Sequence, residues 1–394
     1  MRLTRLLLED FRSYARAELH PDPGLTIVAG PNGAGKTNLL EAVQVAVTGR
    51  SHRAAAEGEL VRHGSDFARV RLDLSDPDGA HGARLELLLP APTAPVEVRK
   101  RLLLNGVPRR AASVGEVART VLFRPEEMLL LVGAPSERRR FLDAILAQRD
   151  RRVARDLAEL ARVLAQRNAL LRAIRREEAG EEGLGFWDEQ LAGTGARVMA
   201  ARLHLVAELD ALLPALHDAV APADERHAAV RMAYQDTLKE AWEGRPEHPA
   251  GGAAVTAEEL AAAFRLRIAG ARQKELWNGV SLVGPQRDDV RVELAGRDVA
   301  AHASRGQQRT IILALKLAER ELLGRDGPEP IVLLDDVFSE LDAQRSERAL
   351  ALLLDRGQVL VTMADLAALP ARRRRGVPIW QVGDGRLSLA PRVA

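Results

Sequence analysis

Residues 30–37, Gly30-Pro31-Asn32-Gly33-Ala34-Gly35-Lys36-Thr37, match the pattern G-x-x-x-x-G-K-[ST]. Glycines at these positions let successive backbone N–H groups turn inward around phosphate oxygens, and a helix starting here adds the positive end of its dipole. Lys36 is then within reach of the β- and γ-phosphates of a nucleotide, and the Thr37 hydroxyl is a ligand for Mg²⁺. A second chemical signal is Ile331-Val332-Leu333-Leu334-Asp335-Asp336, an apolar strand that ends in two carboxylates. Lying beside the phosphate-binding strand, it delivers Asp335 to the metal, and Asp336 is placed to orient or deprotonate an attacking water. A third is Ser304-Arg305-Gly306-Gln307-Gln308, where a hydroxyl, a glycine N–H and a helix start make an anion site about 27 residues ahead of the carboxylate strand.

These residues need a scaffold, and the hydrophobic pattern supplies one. Residues 3–8 and 24–29 read as strands, the second running straight into the glycine-rich turn, and 38–47 as the helix that follows it. Residues 68–74, 83–89 and 96–104 alternate and are separated by Asp-Pro-Asp-Gly and Pro-Ala-Pro, which predicts antiparallel strands. From 136 to 176 the chain is rich in Ala, Arg, Glu and Leu without Gly or Pro, and Val153, Leu157, Leu160, Leu164, Leu171 and Ile174 keep near-heptad spacing. A turn at 178–185 and a returning apolar series from Trp187 to Leu216 predict an antiparallel helical hairpin with arms of about 50 Å at most. An ordinary packed helical bundle fits the same pattern. Residues 243–252 read as a loop, 257–277 as a helix, 310–323 as a helix, and 331–334 and 358–362 as strands. The expected organisation is one α/β domain built from both chain ends, 1–135 and 279–394, with a mainly helical lobe at 136–278.

Composition narrows the chemistry. With 394 residues and no cysteine, the chain has no disulfide framework, zinc finger, iron–sulfur site or thiol nucleophile. No apolar stretch reaches 18 residues, and the sequence reads as a soluble, cytoplasmic protein without a membrane partner. A formal charge of +2 gives no global field for nucleic acid, so any such binding rests on local arginine patches. Arginine supplies all but five of the 57 basic residues, and Lys36 is one of the five, as suits a site that wants a compact ammonium.

The phosphate loop, the S-R-G-Q-Q signature, the carboxylate strand and Ser339-Glu340-Leu341-Asp342 follow the order of the ATP-binding-cassette head domains, and the chain closely resembles the bacterial RecF recombination and repair family. The resemblance rests also on residues 10–14 (DFRSY), 133–143 (GAPSERRRFLD), 186–190 (FWDEQ) and 282–289 (LVGPQRDD), outside the shared ATPase motifs. It implies an α/β P-loop head of cassette type and ATP held by Gly30, Pro31, Asn32, Gly33, Ala34, Gly35, Lys36, Thr37 and Asn38. Thr37 and Asp335 are the implied Mg²⁺ ligands, and Lys36, Asp336 and Ser304 the catalytic residues. It further implies a homodimer sandwiching two ATP molecules, in which Ser304, Arg305, Gly306 and Gln307 act on the partner's nucleotide and Asp342 helps couple the sites. The implied activity is a weak, DNA-dependent ATPase that clamps duplex DNA near single-strand gaps, with RecO and RecR as partners in RecA loading.

Departures accompany the likeness. No Gln stands where cassette heads have a metal-contacting glutamine, a region corresponding to Phe123-Arg124-Pro125-Glu126-Glu127, and Thr362-Met363-Ala364 has no switch histidine. The second carboxylate is Asp336 instead of the longer Glu of transporters. Gln286 stands where similar RecF sequences lead one to expect His. Candidate DNA-phosphate contacts are Arg53, Arg62, Arg109, Arg110, Arg138, Arg139, Arg140 and Arg372, Arg373, Arg374, Arg375. Aromatics at 3% argue against a base-stacking groove and for duplex backbone binding. Two alternatives share the motifs: the nucleotide-binding subunit of a transporter, disfavoured by the 11–14 and 186–190 segments, and an SMC-like chromosome-organising ATPase, whose long arms the inserted lobe is too short to make.

Overall fold

The structure is a computed structural model and describes residues 1–54, 56–79, 81–94, 99–238, 255–369, 371–383 and 385–390. The first part of the chain forms β1 (Arg2–Phe11), β2 (Tyr14–Leu19), β3 (Leu25–Ala29), α1 (Lys36–Thr48), β4 (Phe67–Ser75), β5 (Gly82–Pro90), β6 (Arg101–Leu104), β7 (Val107–Pro108) and β8 (Thr120–Phe123). Next come α2 (Leu129–Val132), α3 (Pro135–Arg149), α4 (Arg151–Arg175), α5 (Leu184–Val220), β9 (Val230–Gln235) and α6 (Ala257–Asn278). The last part holds β10 (Asp289–Leu294), β11 (Arg297–Asp298), α7 (Val299–His302), α8 (Arg305–Arg325), β12 (Ile331–Asp335), α9 (Ala343–Leu354), β13 (Val359–Met363), α10 (Ala371–Arg374), β14 (Ile379–Gly383) and β15 (Arg386–Leu389). The expected loop at 243–252 and the start of the strand expected at 96 lie outside the described residues.

The chain divides into two compact units, Met1–Glu127 with Leu216–Arg226 and Arg309–Ala394, and Met128–Ala215 with His227–Gln308. In the first, both chain ends build two six-stranded sheets. One is ordered β2-β1-β4-β5-β6-β7 and the other β15-β14-β3-β13-β12-β8. Strand β4 shows why the first sheet forms: its residues alternate between buried and partly exposed along the strand, the period-2 signature of a sheet with one face on the core. In the second sheet β14, β3, β13, β12 and β8 run parallel, and β3 and β13 are buried at every residue, as strands covered on both faces must be. Helix α1 packs between the sheets: Leu39, Leu40, Val43 and Val47 share a core with Leu6, Val70, Leu72 and Leu85 of one sheet and Val28, Leu333 and Leu360 of the other. Gly49, at φ +74°, ends α1 in the left-handed conformation that glycine adopts at least cost.

In the second unit α4, α5 and α6 share one core, with Leu160 and Val163 of α4, Leu191 and Val198 of α5, and Leu260, Phe264 and Ile268 of α6. The apolar residues of α4 and α5 are thus covered by a third helix, so the packed bundle describes this unit better than a bare hairpin. Helix α5 is 37 residues long, on the order of 55 Å, longer than the expected span because it starts at Leu184, inside the expected turn, and runs on to Val220. A three-stranded sheet, β11-β10-β9, completes the unit. The boundaries of the compact units differ from 135 and 279, because hydrogen bonds described below draw residues 279–308 to the helices. Among the described residues no helix is long and apolar enough to cross a membrane.

Candidate nucleotide site

The phosphate loop leaves the buried end of β3 and enters α1. Gly30 lies so close to β14 that an added Cβ would sit 2.4 Å from the Val382 carbonyl oxygen, and Gly33 and Gly35 hold φ of +80° and +109°. Three of the loop's glycines are therefore required by its backbone. Pro31, Asn32 and Gly33 form an exposed crown, whereas Lys36 is buried beneath it, its Nζ donating to the carbonyls of Gly30 at 2.8 Å and Pro31 at 3.0 Å. The ammonium is thus already lodged under the curve that phosphates would fill. From the other side, Tyr14 donates its hydroxyl to the Gly35 carbonyl (3.0 Å) and Asn38 donates to Ser13 Oγ (3.0 Å). Burial raises the Tyr14 hydroxyl above its usual range and keeps it a donor.

The carboxylate strand reaches the loop by a different route from the expected one. β12 does not lie beside β3: β13 runs between them, paired in parallel with both. Its Thr362 closes the gap, donating from Oγ1 to Asp335 Oδ1 at 2.6 Å, while Thr37 of the loop donates to the same oxygen at 2.9 Å. A hydroxyl and a carboxylate meeting at one point are the hard oxygen donors that Mg²⁺ takes alongside water and nucleotide phosphates. Two such donors leave further positions to water and phosphate, so the set fits a cation shared with a nucleotide. Asp336 turns away from the strand at φ +51°, and its N–H is directed to the Thr362 carbonyl and hydroxyl, both at 3.1 Å. The sequence marked Thr362 as the end of an expected strand and the start of a segment lacking histidine; one hydroxyl among the apolar residues of β13 is the sign that pointed to it.

The 10–14 segment braces this site. Asp10 and Arg12 take positive φ, and Arg12 grips the buried Glu41 of α1 with two bonds of 3.0 Å and donates to the Glu59 carbonyl at 2.9 Å. Burial alone would raise the Glu41 carboxyl, but the bonds from Arg12 and from Ser51 Oγ (2.5 Å) outweigh it and hold the group below the usual carboxylate range. After β8, Glu127 is buried beside Arg124 (3.1 Å) and Lys316 (3.8 Å), while Glu126 is exposed. Asp342 caps α9, accepting from the N–H groups of Gln344 (3.0 Å) and Arg345 (2.9 Å). Burial opposes ionisation there, but these bonds and the Arg345 guanidinium hold its carboxyl below the usual range.

The signature belongs to the second unit. Ser304 is exposed at the start of α8, its Oγ accepting from Gln307 N–H (3.2 Å) while Gln307 Oε1 accepts from Ser304 N–H (2.9 Å). Arg305 is exposed too, and Gly306 half-buried. This reciprocal cap holds the hydroxyl and the glycine at the positive end of a 21-residue helix.

Several of the strings that carry the family resemblance are bonded within the second unit. Arg167 of α4 is fully buried and donates to Asp188 (2.9 Å), Ser281 Oγ (2.7 Å) and Glu275 (2.5 Å), joining the 186–190 segment to α6 and to the residue just ahead of 282–289. Arg202 bonds Asp143 (2.8 and 2.9 Å) and the Pro285 carbonyl (2.6 Å). Asp288 accepts from Tyr234 (2.7 Å) and Thr237 N–H (2.9 Å), and burial pushes its carboxyl up to about 6. Gln286 bonds the Val283 carbonyl at 2.8 Å.

This network also engages part of the arginine set. Arg138 makes two bonds to Asp289 (2.6 and 2.9 Å) and Arg139 donates to the Asp288 carbonyl (2.6 Å), and both are half-buried. Arg62 is paired with Asp10 (2.7 Å), Arg140 with Glu137 (3.1 Å), and Arg372 and Arg373 with Glu347 (2.8 and 2.7 Å). Arg53, Arg109 and Arg110 are exposed. Gly49 lies against Ala111, the distance from an added Cβ being 2.6 Å, so the segments bearing Arg53 and Arg110 leave from one place at the end of α1.

With this geometry in view, the likeness to known proteins is informative. The family model of the RecF/RecN/SMC N-terminal domain matches residues 2–371. The DNA replication and repair protein RecF of Streptomyces avermitilis is 39% identical over 370 residues, 92% of this chain and 94% of that one. The protein of the same name from Kineococcus radiotolerans is 40% identical over 384 residues, covering 95% of each. Among solved structures, the recombination mediator protein RecF-ATP in the RecFOR pathway superposes with a TM-score of 0.85 at 27% identity, over 99% of this chain and 98% of that one. An SMC head bound to the C-winged helix domain of ScpA shares the fold at a TM-score of 0.54 and 14% identity. Phosphate loop, carboxylate strand, signature and the 10–14 brace thus stand in a fold matched from end to end, and the chain belongs to the RecF family of DNA replication and repair proteins.

Proposed function

We propose that the protein is an ATP-dependent, dimeric DNA-binding ATPase of recombinational repair. It clamps duplex DNA near single-strand gaps, assists RecA loading together with RecO and RecR, and resets by slow hydrolysis. The observation that carries this reading is the meeting of Thr37 and Asp335 at 2.9 Å above a buried Lys36, since these are the oxygens and the ammonium that a triphosphate and its cation require. The relatives named above support it: one is a RecF-ATP structure of the RecFOR pathway.

Within this mechanism Lys36 exchanges its two loop carbonyls for the β- and γ-phosphate oxygens, and the N–H groups of residues 33–38 cradle the rest. Thr37 and Asp335 would hold Mg²⁺, which when bound would supply positive charge to offset the negative charge of the phosphates. Asp336 accepts the proton of the attacking water at its carboxylate. Ser304 and Gly306 at the head of α8 donate to the γ-phosphate held by the partner subunit, so hydrolysis requires two copies. The functional head then comprises 1–135 and 279–394, with 136–278 as the helical lobe, and the signature belongs to the head although it packs with the helices. Arg53, Arg109 and Arg110 supply contacts to DNA phosphates.

Two measurements test this. Ser304→Arg puts a bulky cation where the partner's nucleotide must fit; ATP affinity of the monomer is expected to stay unchanged while the ATP-driven dimer disappears on sedimentation. Loss of monomer affinity instead would assign Ser304 to its own subunit's site. For DNA, the logarithm of duplex affinity is expected to fall linearly with the logarithm of salt, and each of Arg53→Ala, Arg109→Ala and Arg110→Ala to reduce the slope by about one. A flat salt dependence would contradict backbone binding.

A further inference from the structure

We propose that Arg345 is a positioning residue that sets Asp342 in register with α8 through a closed ring of hydrogen bonds; the proposal rests on the ATP-dimer reading above. Arg345 lies in the first turn of α9, with its side chain 14% exposed. Its three guanidinium nitrogens have three different partners. Nη1 donates to Asp342 Oδ2 at 2.5 Å, Nη2 to Glu225 Oε1 at 2.7 Å and Nε to Thr310 Oγ1 at 3.0 Å. Thr310, fully buried in α8, uses the same hydroxyl to donate to Glu225 Oε2 at 2.8 Å, which closes the ring.

Each bond has a directional reason. A hydroxyl that accepts from Arg345 and donates to Glu225 is polarised in one sense, and a planar guanidinium can satisfy three partners only if all three stay in place. The segment carrying Glu225 follows the end of α5 and is held a second time by α9, since Arg348 Nη1 donates to the Ala221 carbonyl. Asp342 is meanwhile fixed from within α9: its Oδ1 takes the N–H groups of Gln344 and Arg345, and its Oδ2 the guanidinium. Thr310 follows Ser304 by six residues on the same helix. A shift of α8 along its axis therefore strains the ring and moves Asp342 unless the bonds break. An arginine that served only to cap α9 would need Asp342 alone; the bonds to Glu225 and Thr310, from two other parts of the chain, are what the proposal explains.

The test uses full-length protein carrying Asp336→Asn as the parent, with Arg345→Met and Thr310→Val added singly. Thr310→Val removes one hydroxyl at nearly constant shape and guards against a folding defect in the arginine variant. Monomer affinity for a fluorescent ATP analogue is expected to stay within about twofold of the parent. The ATP-driven association constant is expected to fall roughly tenfold or more in both variants, the scale of a bond to a charged group. In the Asp336 background the same changes should lower kcat with KM unmoved, which a purely structural role would not do. If the parent forms an ATP dimer and both variants form it equally well, the proposal is overturned while the dimer reading stands. If the parent stays monomeric with ATP bound, the dimer reading fails and this proposal with it. Loss of monomer ATP affinity in Thr310→Val would place the ring in the nucleotide's own site and also overturn it.

Discussion

Lys36→Ala lowers ATP affinity roughly ten- to a hundredfold and removes measurable turnover. The magnitude follows from what the ammonium does. It is buried, it already holds two carbonyls of the loop at 2.8 and 3.0 Å, and no other lysine stands in the loop. A charge-assisted bond to a phosphate oxygen contributes about 1.5–3 kcal/mol, which is that range of affinity. Turnover falls further, because negative charge builds on the leaving β-phosphate oxygens as the γ-phosphoryl group transfers, and an ammonium reaching both phosphates stabilises that transition state more than the bound substrate. Equilibrium binding of a fluorescent ATP analogue and steady-state phosphate release measure the two separately. Unchanged values of both would remove the phosphate-loop assignment.

The second large effect is expected at Asp336. Replacing it by Asn takes away the proton acceptor but not the backbone geometry, because Asn tolerates the left-handed φ of +51° that the residue adopts. An Ala there would mix chemistry with strain. General-base contributions are typically 10²–10⁴-fold, so kcat of Asp336→Asn should fall by at least about 10²-fold while ATP affinity is retained. If kcat falls less than about tenfold, the proton goes elsewhere and Asp336 serves as a turn residue.

Much of this was readable before any coordinates, for reasons of range. The strand–loop–helix at 25–48 is local: glycines, an apolar run and a helical pattern are adjacent, and the structure has β3, the loop and α1 at those positions. Helix α6 was readable at 257–277, and in the structure Thr256 and Glu259 make the reciprocal bonds that start it. What escaped was non-local. The order in which β3, β13 and β12 pair depends on tertiary packing, so the insertion of β13, and with it the role of Thr362, could not be read from spacing. The Arg12–Glu41 clasp joins residues 29 apart in sequence, and the only local hint was a carboxylate inside an apolar helix face. Arg167 left a clearer trace. It occupies the heptad position between Leu164 and Leu171, a core position where a charge is costly unless fully paired, and three partners meet it there. The bonds of Arg138 and Arg139 to Asp289 and Asp288 were equally out of reach, because a run of arginines is the same string whatever its partners about 150 residues away.

Sedimentation velocity of Asp336→Asn with and without Mg-ATP tests the two-headed mechanism most directly, since slowing hydrolysis preserves whatever state ATP creates. A shift from monomer to dimer on adding Mg-ATP is the predicted result. A protein that remains monomeric while ATP is shown to be bound would contradict it.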